Sequence, residues 1–218
     1  MKPVLTAADL DRVPDGGEVI VTQEMLITPL ARDEAERRGI TFRMVSSHER
    51  GAAGVALGAP ENSEESSRVV AIAADHGGFE LKEQLKGYLR DWGYKVLDLG
   101  TDSTAAVDYP DFAEAVANAV ARADAWLGVV IDSAGIGSSI AANKVPGARA
   151  ALCYDRATAR NSREHNDANV LSLGAKLISP EAAREILAIW LLTPFAGGRH
   201  QRRVDKIRGI EERGTKKH

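Results

Sequence analysis

From residue 68 onward, short apolar runs alternate with longer stretches in which apolar residues recur every three or four positions. The runs at 69–74, 95–99, 126–131, 148–153 and 170–173 read as strands, and the periodic stretches at 79–92, 112–122, 138–143, 156–164 and 180–192 read as helices. A basic helix over about 201–212 closes the chain. Leu81, Leu85, Tyr88, Leu89 and Trp92 share one helical face, as a helix laid on a sheet requires. The strands are apolar without alternation, the pattern of a parallel sheet covered on both faces. Together these features predict an α/β fold with five parallel strands joined by right-handed crossovers.

Before residue 68 the pattern is weaker. A strand at 18–22, a helix at 29–38 ending at Gly39 and a strand at 41–45 form a small N-terminal α/β extension over 1–45. Residues 46–67, with Gly51-Ala-Ala-Gly54 and Glu61-Asn-Ser-Glu-Glu-Ser-Ser67, have linker composition, which leaves 68–218 as the main domain. The extension is expected to bury little core alone. It is therefore expected to dock on the main domain, a sister subunit or a larger enzyme assembly, with the amphipathic stretch at 27–35 as a docking surface.

Charge narrows the partner: 28 Lys+Arg against 31 Asp+Glu give a formal charge of -3 and no general pull toward nucleic acid or membrane, so a small molecule is expected. A single cysteine, Cys153, excludes an internal disulfide, and no Cys/His cluster has zinc spacing. No apolar stretch approaches a bilayer span, and the N-terminus lacks a charged-then-apolar signal pattern, so the expected location is the reducing cytoplasm.

The polar clusters fall at strand ends. Asp75-His76-Gly77-Gly78 follows the first strand, Asp108-Tyr109-Pro110 the second and Asp132 through Ser138 the third, while His165-Asn166-Asp167 precedes the fifth. Carboxyl ends of parallel strands share one sheet edge, and ligands bind there beside the switch in strand order, so these residues are expected to converge on one cleft. Asp132 closes an apolar run, and Gly135 and Gly137 permit a tight turn whose N–H groups would face an anion; alternatively, Asp132 only caps the next helix. His76 and His165 are acid/base candidates or satisfied structural histidines. Arg199 and Arg203, four apart, form a phosphate fork or a solvated basic face.

Five motifs, taken jointly, resemble ribose-5-phosphate isomerase type B and its relatives, the galactose-6-phosphate isomerase subunits. They are Asp75-His-Gly-Gly-Phe-Glu-Leu-Lys82, Asp108-Tyr-Pro110, Gly135-Ile-Gly137 with Ile140-Ala-Ala-Asn-Lys144, Arg163-Glu-His-Asn-Asp167 and Gly198-Arg-His-Gln-Arg-Arg203. The likeness covers about residues 68–212 and implies a Rossmann-like parallel sheet. It also implies at least a homodimer, dimer or tetramer, with two sites between subunits and no metal or organic cofactor. The implied reaction moves a proton between adjacent carbons of a phosphorylated aldose or ketose through an enediolate. By position, His165 would assist ring opening and Asp75 would bind or relay protons to sugar hydroxyls. His76, Arg199 and Arg203 would hold phosphate, with Lys176 reaching it from the partner subunit. Asn166 and the backbone N–H groups from Ser133 to Gly137 would stabilise the enediolate oxygen, and Tyr109 would line the sugar pocket.

One departure stands out. Many members carry a cysteine where this chain has Asp132, and another branch uses a glutamate at the position of Ser138, so Asp132 is the expected base here. That change leaves the preferred sugar open, among four- to six-carbon phosphosugars. Two other readings compete. A nicotinamide-dependent oxidoreductase would use Gly135-Ile-Gly137 and Asp155, but Ile140 replaces the third glycine and the turn follows the third strand. A non-catalytic phosphosugar sensor or assembly module would account for the altered base and the extra N-terminal unit.

Overall fold

The computed structural model describes residues 4–6, 9–10, 13–22, 26–45 and 68–215. The chain divides into two compact units, Met1–Glu61 and Asn62–His218. The expected linker at 46–67 lies outside the described residues.

In the first unit, β1 (Val4–Leu5) pairs in parallel with β3 (Leu26–Ile27), and β2 (Glu18–Thr22) pairs in parallel with β4 (Thr41–Val45). Between β3 and β4 lies α1 (Pro29–Arg37), capped where Ala31 N–H donates to Thr28 Oγ1 at 3.2 Å. Two-residue strands carry no periodic signal, which is why β1 and β3 escape the sequence reading. The unit has a small core of its own. Leu5, Leu10, Val21, Ala31, Ala35 and Ile40 are packed together and buried.

The second unit is a Rossmann-like α/β layer structure. Its elements in chain order are β5 (Val69–Ala74), α2 (Phe79–Asp91), β6 (Lys95–Asp98), α3 (Tyr109–Ala121), β7 (Leu127–Asp132) and α4 (Ile136–Ala142). Then come β8 (Ala150–Leu152), α5 (Arg156–Asn166), β9 (Val170–Gly174), α6 (Pro180–Leu192) and α7 (Gln201–Thr215). All five strands are parallel, in the order β6-β5-β7-β9-β8. The chain leaves β5 for β6 on one side and later builds β7, β9 and β8 on the other. The switch in strand order therefore lies at the carboxyl ends of β5 and β7.

Alternate residues of each strand supply two cores of different grain. Val70, Ile72 and Ala74 of β5 join Val129, Ile131, Leu171 and Leu173 beneath α2 and α6, where Leu85, Leu89 and Trp190 are fully buried. Ala71 and Ala73 face the other way, toward Ala113, Val116 and Ala117 of α3. Trp190 finds a partner for its one polar atom, since Nε1–H donates to Ser162 Oγ at 3.2 Å. Cys153 is buried among these residues, and burial pushes its thiol above the usual range. Among the described residues no helix is long and apolar enough to cross a membrane.

Boundaries shift from the sequence reading for local reasons. Helix α3 starts at Tyr109 instead of 112 because Pro110, with its φ preset, suits the first helical turn. Strand β8 shrinks to three residues at the sheet edge, where the Asn143 side chain takes over pairing: it accepts from Ala150 N–H at 2.8 Å and donates to Ala150 C=O at 2.9 Å. Strand β7 runs one residue further than expected, so Asp132 is its last member.

The edge strand β6 is tied to α2 by charge. Lys82, 1% exposed, donates from Nζ to Asp98 at 2.8 and 2.9 Å and to Glu83 at 2.8 Å, and Lys86 bridges the same two carboxylates. Burial pushes the Asp98 carboxyl up, but hydrogen bonds from Lys82, Lys86 and Gly100 N–H outweigh it and hold it below the usual range; Lys82 and Lys86 hold Glu83 low as well. Carboxylates that ionise more readily when folded add stability above their unfolded pKa and lose it as pH falls through the folded one. Acidification below about pH 4 is therefore expected to cost the parent chain more urea stability than a Lys82→Met/Lys86→Met double variant. Lys82→Met alone, with Lys86 still beside Asp98, is expected to cost about 2–3 kcal/mol at neutral pH.

Candidate active site

At the strand-order switch the chain carries two carboxylates side by side, Asp75 just past β5 and Asp132 at the end of β7. The pairing of Ala74 with Ile131, continued by Asp75 N–H donating to Ile131 C=O at 3.1 Å, sets them level. Both are buried, at 6% and 5% exposure. Their surroundings differ.

Asp132 is enclosed by its own loop. One carboxylate oxygen accepts from the N–H groups of Ala134, at 2.7 Å, and Gly135. The other accepts from Ser138 N–H at 3.0 Å and Ser138 Oγ–H at 2.5 Å. A carboxylate offers about four lone-pair directions, so the loop occupies the whole acceptor capacity of this side chain. The turn needs Gly135 at φ +76, a left-handed conformation, and its carbonyl is held from below by Ser172 Oγ–H at 2.6 Å. Asp132 thus does what a helix cap does and more, because it folds the turn around itself.

With Ala134, Gly135 and Ser138 pointing at Asp132, three other N–H groups of the same segment, those of Ser133, Ile136 and Gly137, have no acceptor among the described residues. Tyr109, 39% exposed, lies over this segment, and a Cβ on Gly137 would meet its ring at 2.5 Å. Only glycine lets the two approach so closely. His76 is exposed beside them, its Nδ1 3.1 Å from Val107 C=O and 3.3 Å from Val107 N. Lys176 is exposed on the same edge of the same chain, its N–H donating to Ser133 C=O at 3.0 Å.

Asp75 makes a simpler turn. Its Oδ1 accepts from Gly77 N–H at 2.8 Å and Gly78 N–H at 3.0 Å. Its Oδ2 has no partner among the described residues and is not wholly sealed from solvent.

A second polar group forms elsewhere. His165 and Asn166 end α5, which runs back toward the amino edge of the sheet before Asp167, at φ +47, turns the chain into β9. The His165 ring stacks on His200, centroids 4.1 Å apart and planes within 6°. Asn161 Nδ2 lies 2.8 Å from His165 Nδ1, so the amide donates and the ring nitrogen accepts. Arg199 Nε–H donates to His200 Nε2 at 3.3 Å, which leaves the His200 proton on Nδ1, an atom with no partner among the described residues. Burial, joined by the charges of His165, Arg199 and Arg203, holds the His200 imidazole below the usual histidine range. Arg199, Arg203 and Asn166 are exposed.

The expected single cleft therefore divides within one chain. Asp75, His76, Tyr109, the 132–138 segment and Lys176 share the carboxyl edge; His165, Asn166, Arg199 and Arg203 gather beyond the end of α5. No hydrogen bond, ion pair or ring contact joins the two groups among the described residues. Sequence reasoning passed over His200 as a site residue, although its place between Arg199 and Arg203 was the available signal. Among the described residues no three His, Cys, Asp or Glu side chains are placed to hold a metal ion.

Residues 70–207 match the family model described as Ribose/Galactose Isomerase. Ribose-5-phosphate isomerase B of Escherichia coli is 44% identical over 144 residues, 66% of this chain and 97% of that one. D-erythrulose-4-phosphate isomerase of Pectobacterium atrosepticum is 40% identical over 63% of this chain and 91% of its own length. The solved structure of Clostridium thermocellum ribose-5-phosphate isomerase B superposes with a TM-score of 0.66 at 48% identity, covering 66% of this chain and 98% of that chain.

The hydrogen bonds around Asp132 set a stability expectation. Asp132→Ala strands three N–H groups and a hydroxyl, and is expected to lower the unfolding free energy by about 3–5 kcal/mol in urea titrations. Ser138→Ala, which removes one hydrogen bond of the four, is expected to cost about 1 kcal/mol.

Proposed function

The chain belongs to the ribose/galactose isomerase family, and from that premise we propose that it interconverts ribose 5-phosphate and ribulose 5-phosphate through an enediolate. The sugar-phosphate isomerase activity is shared with its relatives; the choice of sugar and the roles below are our reading. The observation that carries it is the set of N–H groups of Ser133, Ile136 and Gly137, without an acceptor among the described residues, level with a buried carboxylate at the strand-order switch. An enediolate oxygen is negative only during the reaction, so fixed N–H dipoles lower the barrier more than they tighten substrate binding.

In this reading a carboxylate on that edge moves the proton between the first two carbons, and Tyr109 lines the sugar pocket. His165 assists ring opening and Asn166 supports the enediolate oxygen. His76, Lys176, Arg199 and Arg203 hold the phosphate, whose binding energy keeps the reacting carbons in register. Because His165, Asn166, Arg199 and Arg203 lie apart from Asp75 in one chain, a complete site takes them from a second copy. A two-fold homodimer then has two sites. Ile136 and Ile140, 51% and 58% exposed and four apart on α4 beside the 132–138 segment, suit such an interface. We further assign the protein to the cytoplasm and the first unit to docking on other proteins.

A shorter substrate has one point in its favour, the similarity to a D-erythrulose-4-phosphate isomerase. Turnover of four-, five- and six-carbon sugar phosphates is expected to give the highest kcat/KM with ribose 5-phosphate; a four-carbon optimum would transfer the assignment. Thermal stabilisation by these sugars without turnover would mark a binding protein instead. For the shared site, inactive Asp75→Ala and His165→Ala chains, unfolded and refolded together, are expected to recover about a quarter of parent activity, since half the dimers then hold one intact site of two. No recovery would place both residues in one chain's site.

A further inference from the structure

Asp132 stands where the family's cysteine base is expected, yet it has no lone pair to spare, and its neighbour Ser138 is 2% exposed. Asp75 is the reverse case. Its Oδ1 fastens the turn through Gly77 and Gly78, while its Oδ2 has no partner among the described residues and is not wholly sealed from solvent. We propose that Asp75, through Oδ2, is the base that takes the proton from carbon, and that Asp132 is the anion around which the N–H cradle is folded. This rests on the isomerase reading above.

Position supports the assignment. The point where a Cβ on Gly77 would sit lies 2.4 Å from Ser133 Oγ and 3.3 Å from Asp75 Oδ1, so the Asp75 carboxylate adjoins the residue that opens the cradle. Gly77 leaves room there for the Ser133 hydroxyl. Other titratable groups on the edge are less well placed. Asp108 is on the loop from β6, one strand further from β7, and His76 Nδ1 is occupied by Val107. Asp155 is spent on its capping box, accepting from Thr158 N–H at 2.7 Å and Thr158 Oγ1–H at 2.9 Å.

The step balances without a further reactant. Asp75 Oδ2 takes the proton from C2 of the open-chain aldose, the C–H electron pair forms the C1–C2 double bond, and the carbonyl pair moves onto O1 facing the cradle. The hydroxyl proton passes from O2 to O1. Asp75 then returns its proton to C1 as the O2 carbonyl forms.

The test follows the C2 hydrogen of ribose 5-phosphate by proton NMR in deuterium oxide. Asn at position 75 can still accept from Gly77 and Gly78, so Asp75→Asn is expected to fold, to keep its thermal stabilisation by the sugar phosphate, and to lose C2 exchange by about 100-fold or more. Asp75→Glu is expected to restore part of it. Asp132→Asn is expected to lower Tm while exchanging faster than Asp75→Asn. Exchange by Asp75→Asn within about tenfold of the parent overturns the assignment, as does loss of exchange in Asp132→Asn at an unchanged Tm. No exchange by the parent on any sugar phosphate would defeat the isomerase reading first and this one with it.

Discussion

A carboxylate at the end of a strand buried on both faces is costly to desolvate unless donors surround it, and Asp132 meets that cost by winding its own loop into a shell. Two N–H groups on one oxygen, an N–H and a hydroxyl on the other, complete the shell. The consequence reaches past the side chain. Donors committed to Asp132 leave the intervening amides of Ser133, Ile136 and Gly137 with no acceptor among the described residues. A cradle for negative charge is thus the by-product of stabilising another negative charge, and the chemistry proposed at this edge depends on both.

The sheet topology decides what can join that cradle. Parallel strands put Asp75, Asp132 and the loop before Tyr109 on one edge, and the reversal between β5 and β7 opens the gap between them. A helix that returns to the sheet must end at the opposite edge, which is why His165 and Asn166 at the close of α5 fall elsewhere. The stacked pair of His165 and His200 with Arg199 is a second polar centre, in which a buried His200 nitrogen has no partner among the described residues. In the dimer proposed above, a symmetric partner would supply what one chain separates. Lys176 follows β9, whose carboxyl end borders β7, and its backbone N–H donates to Ser133 C=O of the same chain.

Most of the second unit was legible because its strands are continuous apolar runs, as a sheet covered on both faces requires, and its helices carry one apolar face at a period of 3.6. The misses have local causes. Pro110 starts α3 early, the Asn143 side chain replaces backbone pairing at β8, and β1 and β3 are too short for any period to show. Glycines were legible as turn formers, but not what each turn encloses: Gly137 admits the Tyr109 ring, a neighbour distant in sequence.

The sequence by itself determined the α/β class, the linker composition, the family and the residue types at the strand ends, because periodicity, composition and motif spacing are properties of a one-dimensional string. Only the tertiary structure decided which of two aspartates has an oxygen to offer. Hydrogen-bond capacity is spent in three dimensions: Asp132 and Asp75 look alike on the chain, but six residues of loop saturate the first, while two glycines leave half of the second open.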